Sequence, residues 1–173
     1  LSPYTRTSIS WDKAWPLKPD VVFEGGNAGK DALGATGITS LHLLTANNQP
    51  LQRLLTTSNA TSAASALGAR MAAQLMAAYP ALRPDTIRAL IVHSADWTDA
   101  MRAAYLSAQG QPSKTDYVNL IRRCGWGVPS LERALWSAGN SLTLVVEDQL
   151  HPYKKVKGKS VATRDMNLHS LPW

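Results

Sequence analysis

The sequence contains one cysteine, Cys124, so it can form no internal disulfide, and that usage suits a reducing compartment. It lacks any apolar run of the roughly 20 residues that a membrane-spanning helix needs. Low-complexity tracts are absent too. The start, Leu1-Ser2-Pro3-Tyr4-Thr5-Arg6, has neither an initiator methionine nor the character of a signal peptide, which predicts a fragment or a processed product. No set of His, Cys, Asp and Glu has metal-ligand spacing, so no metal or other cofactor is expected.

Acidic residues are scarcer than basic ones, 12 against 18, for a net charge of +6. Lys154, Lys155, Lys157, Lys159 and Arg164 supply much of the excess near the C-terminus. A basic cluster can mark a nucleic-acid surface. Here the lysines bracket Gly158 between two strand-like runs, which reads as a solvated hairpin, so no nucleic-acid partner is expected.

What is present is a chain long enough for one domain with a real core. Residues 1–17 read as loop with one short strand. Val21-Val22-Phe23, bounded by Pro19 and Gly25, reads as a buried strand. The glycines that follow allow a tight turn or a close backbone approach. Gly25-Gly26-Asn27-Ala28-Gly29-Lys30-Asp31 invites a phosphate-loop reading, but Glu24 stands where the first glycine is needed. Asp31 stands where that loop requires Ser or Thr, so nucleotide binding is not expected. Residues 31–40 read as a loop, 41–45 as a strand and 47–50 as a turn.

The most informative stretch begins at Asn59-Ala60-Thr61-Ser62 and runs into a helical pattern that Pro80 ends. Leu67, Met71, Leu75 and Tyr79 recur every four residues and share one helix face. Most of the remainder is alanine, and a helix apolar nearly all round is usually buried in a larger body. Ser62 then lies at a helix N-terminus, where unpaired N–H groups and the positive dipole end favour developing negative charge. That place suits a nucleophile; it equally suits an N-cap, with Thr61 or Ser62 as the capping residue.

Further helices are predicted over 83–95, with Pro84 in the first turn and an Ile87/Leu90/Ile91 stripe, and over 97–108, with Thr98 as N-cap and Met101 and Tyr105 inward. Two more follow over 114–124 and 129–138, the last with Leu131 and Leu135 facing inward. Composition changes near residue 140, and 141–148 reads as a strand that opens a β-rich tail.

Asn59-Ala60-Thr61-Ser62-Ala63-Ala64-Ser65-Ala66 resembles the nucleophile signature of the subtilisin-like serine proteases, Asn-Gly-Thr-Ser-x-Ala-Ser/Ala-Pro. Three other segments resemble that family in the right order. They are Lys18-Pro19-Asp20-Val21-Val22, then Tyr79-Pro80-Ala81-Leu82-Arg83-Pro84-Asp85-Thr86-Ile87-Arg88-Ala89-Leu90-Ile91, then Gly125-Trp126-Gly127-Val128-Pro129 with Ala134. The signature's Gly is replaced by Ala60 and its Pro by Ala66. Phe23-Glu24-Gly25-Gly26-Asn27 and His93-Ser94-Ala95-Asp96-Trp97-Thr98 resemble a bacterial intracellular branch with an added C-terminal β domain.

The resemblance implies an α/β fold. Residues 1–139 would be the C-terminal part of a three-layer domain with a mostly parallel sheet, and 140–173 the beginning of a truncated β module. It implies a serine endopeptidase that attacks peptide bonds through an acyl-enzyme on Ser62. The Ser62 N–H would be a backbone oxyanion donor, with Asn59 and Thr61 near the site. In the family the catalytic Asp and His and the side-chain oxyanion asparagine lie upstream, so the fragment alone is expected to be inactive. His42 matches no family histidine, and His42, His93, His151 and His169 each read as structural or surface residues. Asp20 reads as bonding backbone in its turn, and Asn27 as a loop residue. The implied partners are a protein or peptide substrate, the upstream half of the same domain, and an AAA-type ATPase. An exposed apolar face implies a dimer or pairing with that upstream half. The implied location is the bacterial cytoplasm. The alternative is a non-catalytic pseudo-protease or interaction module in which Ser62 is only a cap.

Overall fold

A computed structural model describes residues 5–107, 111–139, 143–155, 157, 158 and 160–170. The chain divides into two compact units, residues 1–143 and residues 144–173.

In the first unit three helices make the core. They are α1 (Thr61–Ala78), α2 (Pro84–His93) and α5 (Leu131–Gly139). The four-residue spacing in α1 buries Met71 and Leu75 against Ile87 and Leu90 of α2 and Ala134 of α5. Phe23, Leu82, Ile91, Leu131 and Leu135 pack around that cluster. Tyr79 caps the C-terminus of α1, and its hydroxyl donates to the Leu135 carbonyl at 2.7 Å, tying the end of α1 to α5. Pro84 opens α2 at its first turn, where its missing N–H costs nothing.

The opposite side of α1 differs from the expectation of a fully buried helix. Ala66, Ala69, Ala73 and Ala77 are exposed, and Met76 is 49% exposed. The reason is that the elements α1 packs on most are α2 and α5, which cover one side of it.

Two more helices, α3 (Asp99–Tyr105) and α4 (Lys114–Cys124), pack on each other. Thr98 Oγ1 accepts from the Met101 N–H at 3.3 Å, as the sequence predicts for an N-cap. Position 108, where the sequence ends this helix, lies outside the described residues. Ser113 and Asp116 form a reciprocal capping box at the start of α4. Arg122 of α4 is buried and donates to the carbonyls of Ser8 and Trp11, fastening the N-terminal segment. No strand occurs in the described part of that segment, only a 3-10 turn at Ser8–Ser10.

The expected parallel sheet is replaced by antiparallel pairs. Strands β1 (Ala28–Lys30) and β2 (Ala35–Gly37) form one, and β3 (Leu43–Ala46) and β4 (Leu55–Ser58) another. Short connections of this kind return the chain antiparallel, because a parallel pair needs a long crossover. Residues 31–40, read from sequence as loop, therefore hold β2 and a 3-10 turn at Thr39–Leu41. Asp31 makes the β1–β2 turn by accepting from the N–H groups of Leu33 and Gly34.

Residues 21–23, read from sequence as a strand, belong to no strand: the chain bends at Val21, and no ladder pairs with the segment among the described residues. Their neighbour is the turn at 125–127 instead: Val22 N–H donates to Gly127 O at 2.9 Å, and Trp126 N–H donates to Asp20 O at 2.8 Å. Gly127 has φ +101°, and a β-carbon there would lie 2.1 Å from Asp96 O, so only glycine passes. Asp96 and Val128 exchange both backbone hydrogen bonds beside it.

In the second unit, β5 (Tyr153–Lys154) pairs antiparallel with β6 (Ala162–Thr163). Gly158 turns between them with φ +81°, which is the hairpin expected from the lysine-bracketed glycine. The strand read over 141–148 is absent from 143–148, and 141 and 142 lie outside the described residues. Lys159 and the final apolar residues 171–173 also lie outside them.

Candidate active site

The site is built where β4 hands over to α1. Ala60 is the N-cap in extended conformation, with φ −153° and ψ 157°, and its side chain makes no cap hydrogen bond. Thr61 and Ser62 are the first two helical residues, so neither is the N-cap that the competing reading required. Ser62 is exposed, not turned into the core. Its N–H belongs to the first turn, where no intrahelical acceptor exists, and with the dipole it presents a positive end to whatever approaches the hydroxyl. Ser65 Oγ bonds back to Thr61 O at 3.2 Å inside the same turn.

The approach to Ser62 is held by the loop at 25–27. Asn59 Nδ2 donates to Asn27 O at 3.1 Å and lies 3.3 Å from His42 Nε2. Its Oδ1 is buried without a hydrogen-bond partner among the described residues. Gly26, at φ +91°, lies flat against this carboxamide, and a β-carbon there would stand 2.8 Å from Asn59 Oδ1. Gly25 backs onto the Ala60 carbonyl and the Ala64 methyl. The Gly25-Gly26-Asn27 run is thus a seat for the residues before Ser62. The sequence signals the close backbone approach through its glycines but not what approaches.

None of the four histidines bonds Ser62 among the described residues. His42 follows the 3-10 turn at Thr39–Leu41 and faces Asn59. His93 ends α2, exposed. In the second unit His151 Nε2 lies 3.2 Å from Gln149 Oε1, and His169 Nε2 lies 3.5 Å from Asp148 Oδ2.

Asp20 departs from its expected backbone bonding. Its carboxylate pairs with Lys18 Nζ at 2.7 Å and Arg88 Nη2 at 3.0 Å, because Arg88 of α2 reaches it from 68 residues away. Burial pushes the Asp20 carboxyl up, but the two cations outweigh that and hold it below its ordinary range. Cys124 is a buried free thiol, and burial pushes it up, away from the reactive thiolate.

An open cavity of about 420 Å³ lies behind the first turn of α1, lined by Val22, Phe23, Glu24, Gly26, Thr61 and Ala64 among others. A second, of about 280 Å³, shares Val22, Phe23, Thr61 and Ala64 and extends to Ser65 and Gly68. Val22 and Phe23 therefore border open space beside the first turns of α1. Among the described residues no group of three or more His, Cys, Asp or Glu could hold a metal ion, and no helix is long and apolar enough to cross a membrane.

Residues 1–127 match the family model of the Subtilase family, and the chain belongs to that family. It is 31% identical over 154 residues to an uncharacterized protein, y4bN, of Sinorhizobium fredii (strain NBRC 101917 / NGR234), a match covering 86% of this chain. The chain spans about a third of that relative's length, 34%. No solved structure matches. Membership places the chain in a serine-peptidase lineage.

Proposed function

We propose that this chain carries the nucleophile of a serine endopeptidase, with Ser62 as the residue that is acylated. The observation that carries this reading is the position of Ser62. It is exposed, second in α1, and preceded by residues seated on the 25–27 loop, within a family of serine peptidases. A serine becomes nucleophilic when a base takes its proton, and the resulting oxyanion needs N–H donors aimed at it. The Ser62 N–H is one such donor. Thr61 and Asn59 set the direction from which the helix start is approached. The base and the carboxylate that orients it come from the upstream half of the same domain, as does the side-chain oxyanion donor.

Two features support an upstream half as packing partner. Val22 and Phe23 line open cavities with the first turns of α1, and the alanine-rich flank of α1 is exposed. An exposed apolar helix face gains by being covered. The substrate is a protein or peptide chain, and an AAA-type ATPase is a candidate partner. The bacterial relative and the buried free thiol support a bacterial cytoplasmic location.

The test is labelling of the full-length protein with a fluorophosphonate. Covalent labelling that Ser62→Ala abolishes is the expected result. A full-length protein that does not label, or a Ser62→Ala variant that labels equally, establishes the pseudo-protease reading instead. Ser62→Ala leaves stability within about 0.5 kcal/mol, since the side chain is exposed and caps nothing.

A further inference from the structure

The contact between His42 and Asn59 has a chemical direction. A carboxamide nitrogen has two protons and no acceptor lone pair. One proton of Asn59 Nδ2 goes to Asn27 O at 3.1 Å, and the other faces His42 Nε2 at 3.3 Å. Nε2 must therefore be the unprotonated ring nitrogen, with the proton on Nδ1. Turning the carboxamide over would set Oδ1 against the Asn27 carbonyl, acceptor against acceptor. Oδ1 instead lies buried against Gly26 without a donor. Leaving it so costs on the order of a hydrogen bond's desolvation, which the two Nδ2 bonds offset.

We infer that His42 is a positioning residue: as the neutral Nδ1–H tautomer it accepts from Asn59, and so fixes the segment Asn59-Ala60-Thr61 that delivers Ser62. The inference rests on the reading of Ser62 as nucleophile. Three separate pieces of chain meet at one carboxamide: the 25–27 loop, the residue after the 3-10 turn at Thr39–Leu41, and the residue after β4. With both its protons engaged, Asn59 acts through its anchorage rather than as an oxyanion donor. Among the described residues no carboxylate or cation forms an ion pair with the His42 ring, whose Nε2 lies by Asn59 and 3.5 Å from where a β-carbon on Gly37 would stand. A doubly protonated ring would set donor against donor and release Asn59.

The experiment compares the full-length protein with His42→Leu and His42→Gln. Glutamine offers an acceptor oxygen near the place of Nε2, and leucine offers none. His42→Leu is expected to slow fluorophosphonate labelling of Ser62 about tenfold, the net worth of one positioning hydrogen bond. His42→Gln is expected to restore most of that rate. Nitrogen NMR of ring-labelled histidine at neutral pH is expected to show the Nδ1–H tautomer at His42. An Nε2–H tautomer, an unslowed His42→Leu, or a His42→Gln as slow as His42→Leu overturns the inference. If the wild-type protein does not label at all, the nucleophile reading has failed, and the tautomer still decides whether the His42–Asn59 clamp exists.

Discussion

The backbone of Gly26 lies against the carboxamide of Asn59, so close that a β-carbon on Gly26 would stand 2.8 Å from Asn59 Oδ1 and 3.0 Å from its Cα. Gly26 also sits at φ +91°, where an L side chain is strained. A glycine 33 positions earlier in the chain thus determines where the residue three before Ser62 can be.

Gly26→Ala is therefore expected to act on site and stability together. It forces Asn59 off its seat and adds the positive-φ penalty, for a loss of about 1–3 kcal/mol. Urea denaturation measures the loss. Fluorophosphonate labelling of the full-length protein is expected to slow in the same variant, and an unchanged rate would separate the Gly26 seat from Ser62.

Leu75 is fully buried in the cluster that joins α1, α2 and α5. Leu75→Ala removes methyl groups from that packed site and leaves a cavity, costing about 2–5 kcal/mol. Thermal or urea denaturation checks it. A cost below about 1 kcal/mol would mean that the three helices do not close on Leu75.

Asp20 predicts a pH dependence of stability. Its folded pKa lies below the unfolded value, so its contribution is present above the unfolded range near about pH 4 and is lost as pH falls through the lower folded value. Its side chain is 36% exposed, so the pairs with Lys18 and Arg88 are screened and the contribution is modest. Asp20→Asn is expected to lose about 0.5–1 kcal/mol at neutral pH. The difference should shrink as pH falls through the lowered folded value, below which aspartate is neutral in both states. A difference that persists in acid would assign the effect to packing.

Met76 tests the covering of α1. Half exposed in this chain, it is expected to be buried in the full-length protein by the upstream half. Met76→Lys then places a charge in an apolar interface and destabilises the full-length protein by about 2 kcal/mol or more. A change within about 0.5 kcal/mol, typical of a surface site, would leave that flank of α1 open to solvent.

The helices were legible because their signals are local. Pro84, Thr98, the apolar spacing of Leu67, Met71 and Leu75, and the bounds of α4 all follow from chain geometry within one or two turns. The place of Ser62 in the first turn of α1 was legible for the same reason, since a helix start and its serine are adjacent in sequence. The sheets were less so. The run Val21-Val22-Phe23 has strand composition, but a strand exists only with a partner, and its backbone bonds instead to a turn about a hundred residues on.

The sequence by itself determined where Ser62 stands on its helix, which residues face the core, and which family the chain resembles. Only the tertiary structure decided what holds the serine's approach in place. Gly26, Asn27 and His42 meet Asn59 through contacts spanning 17 to 33 positions. No periodicity encodes such a meeting, because it depends on how hairpins and helix pack, and a half-buried histidine reads in sequence like any other. The same holds for Asp20, whose carboxylate finds Arg88 only once α2 has docked.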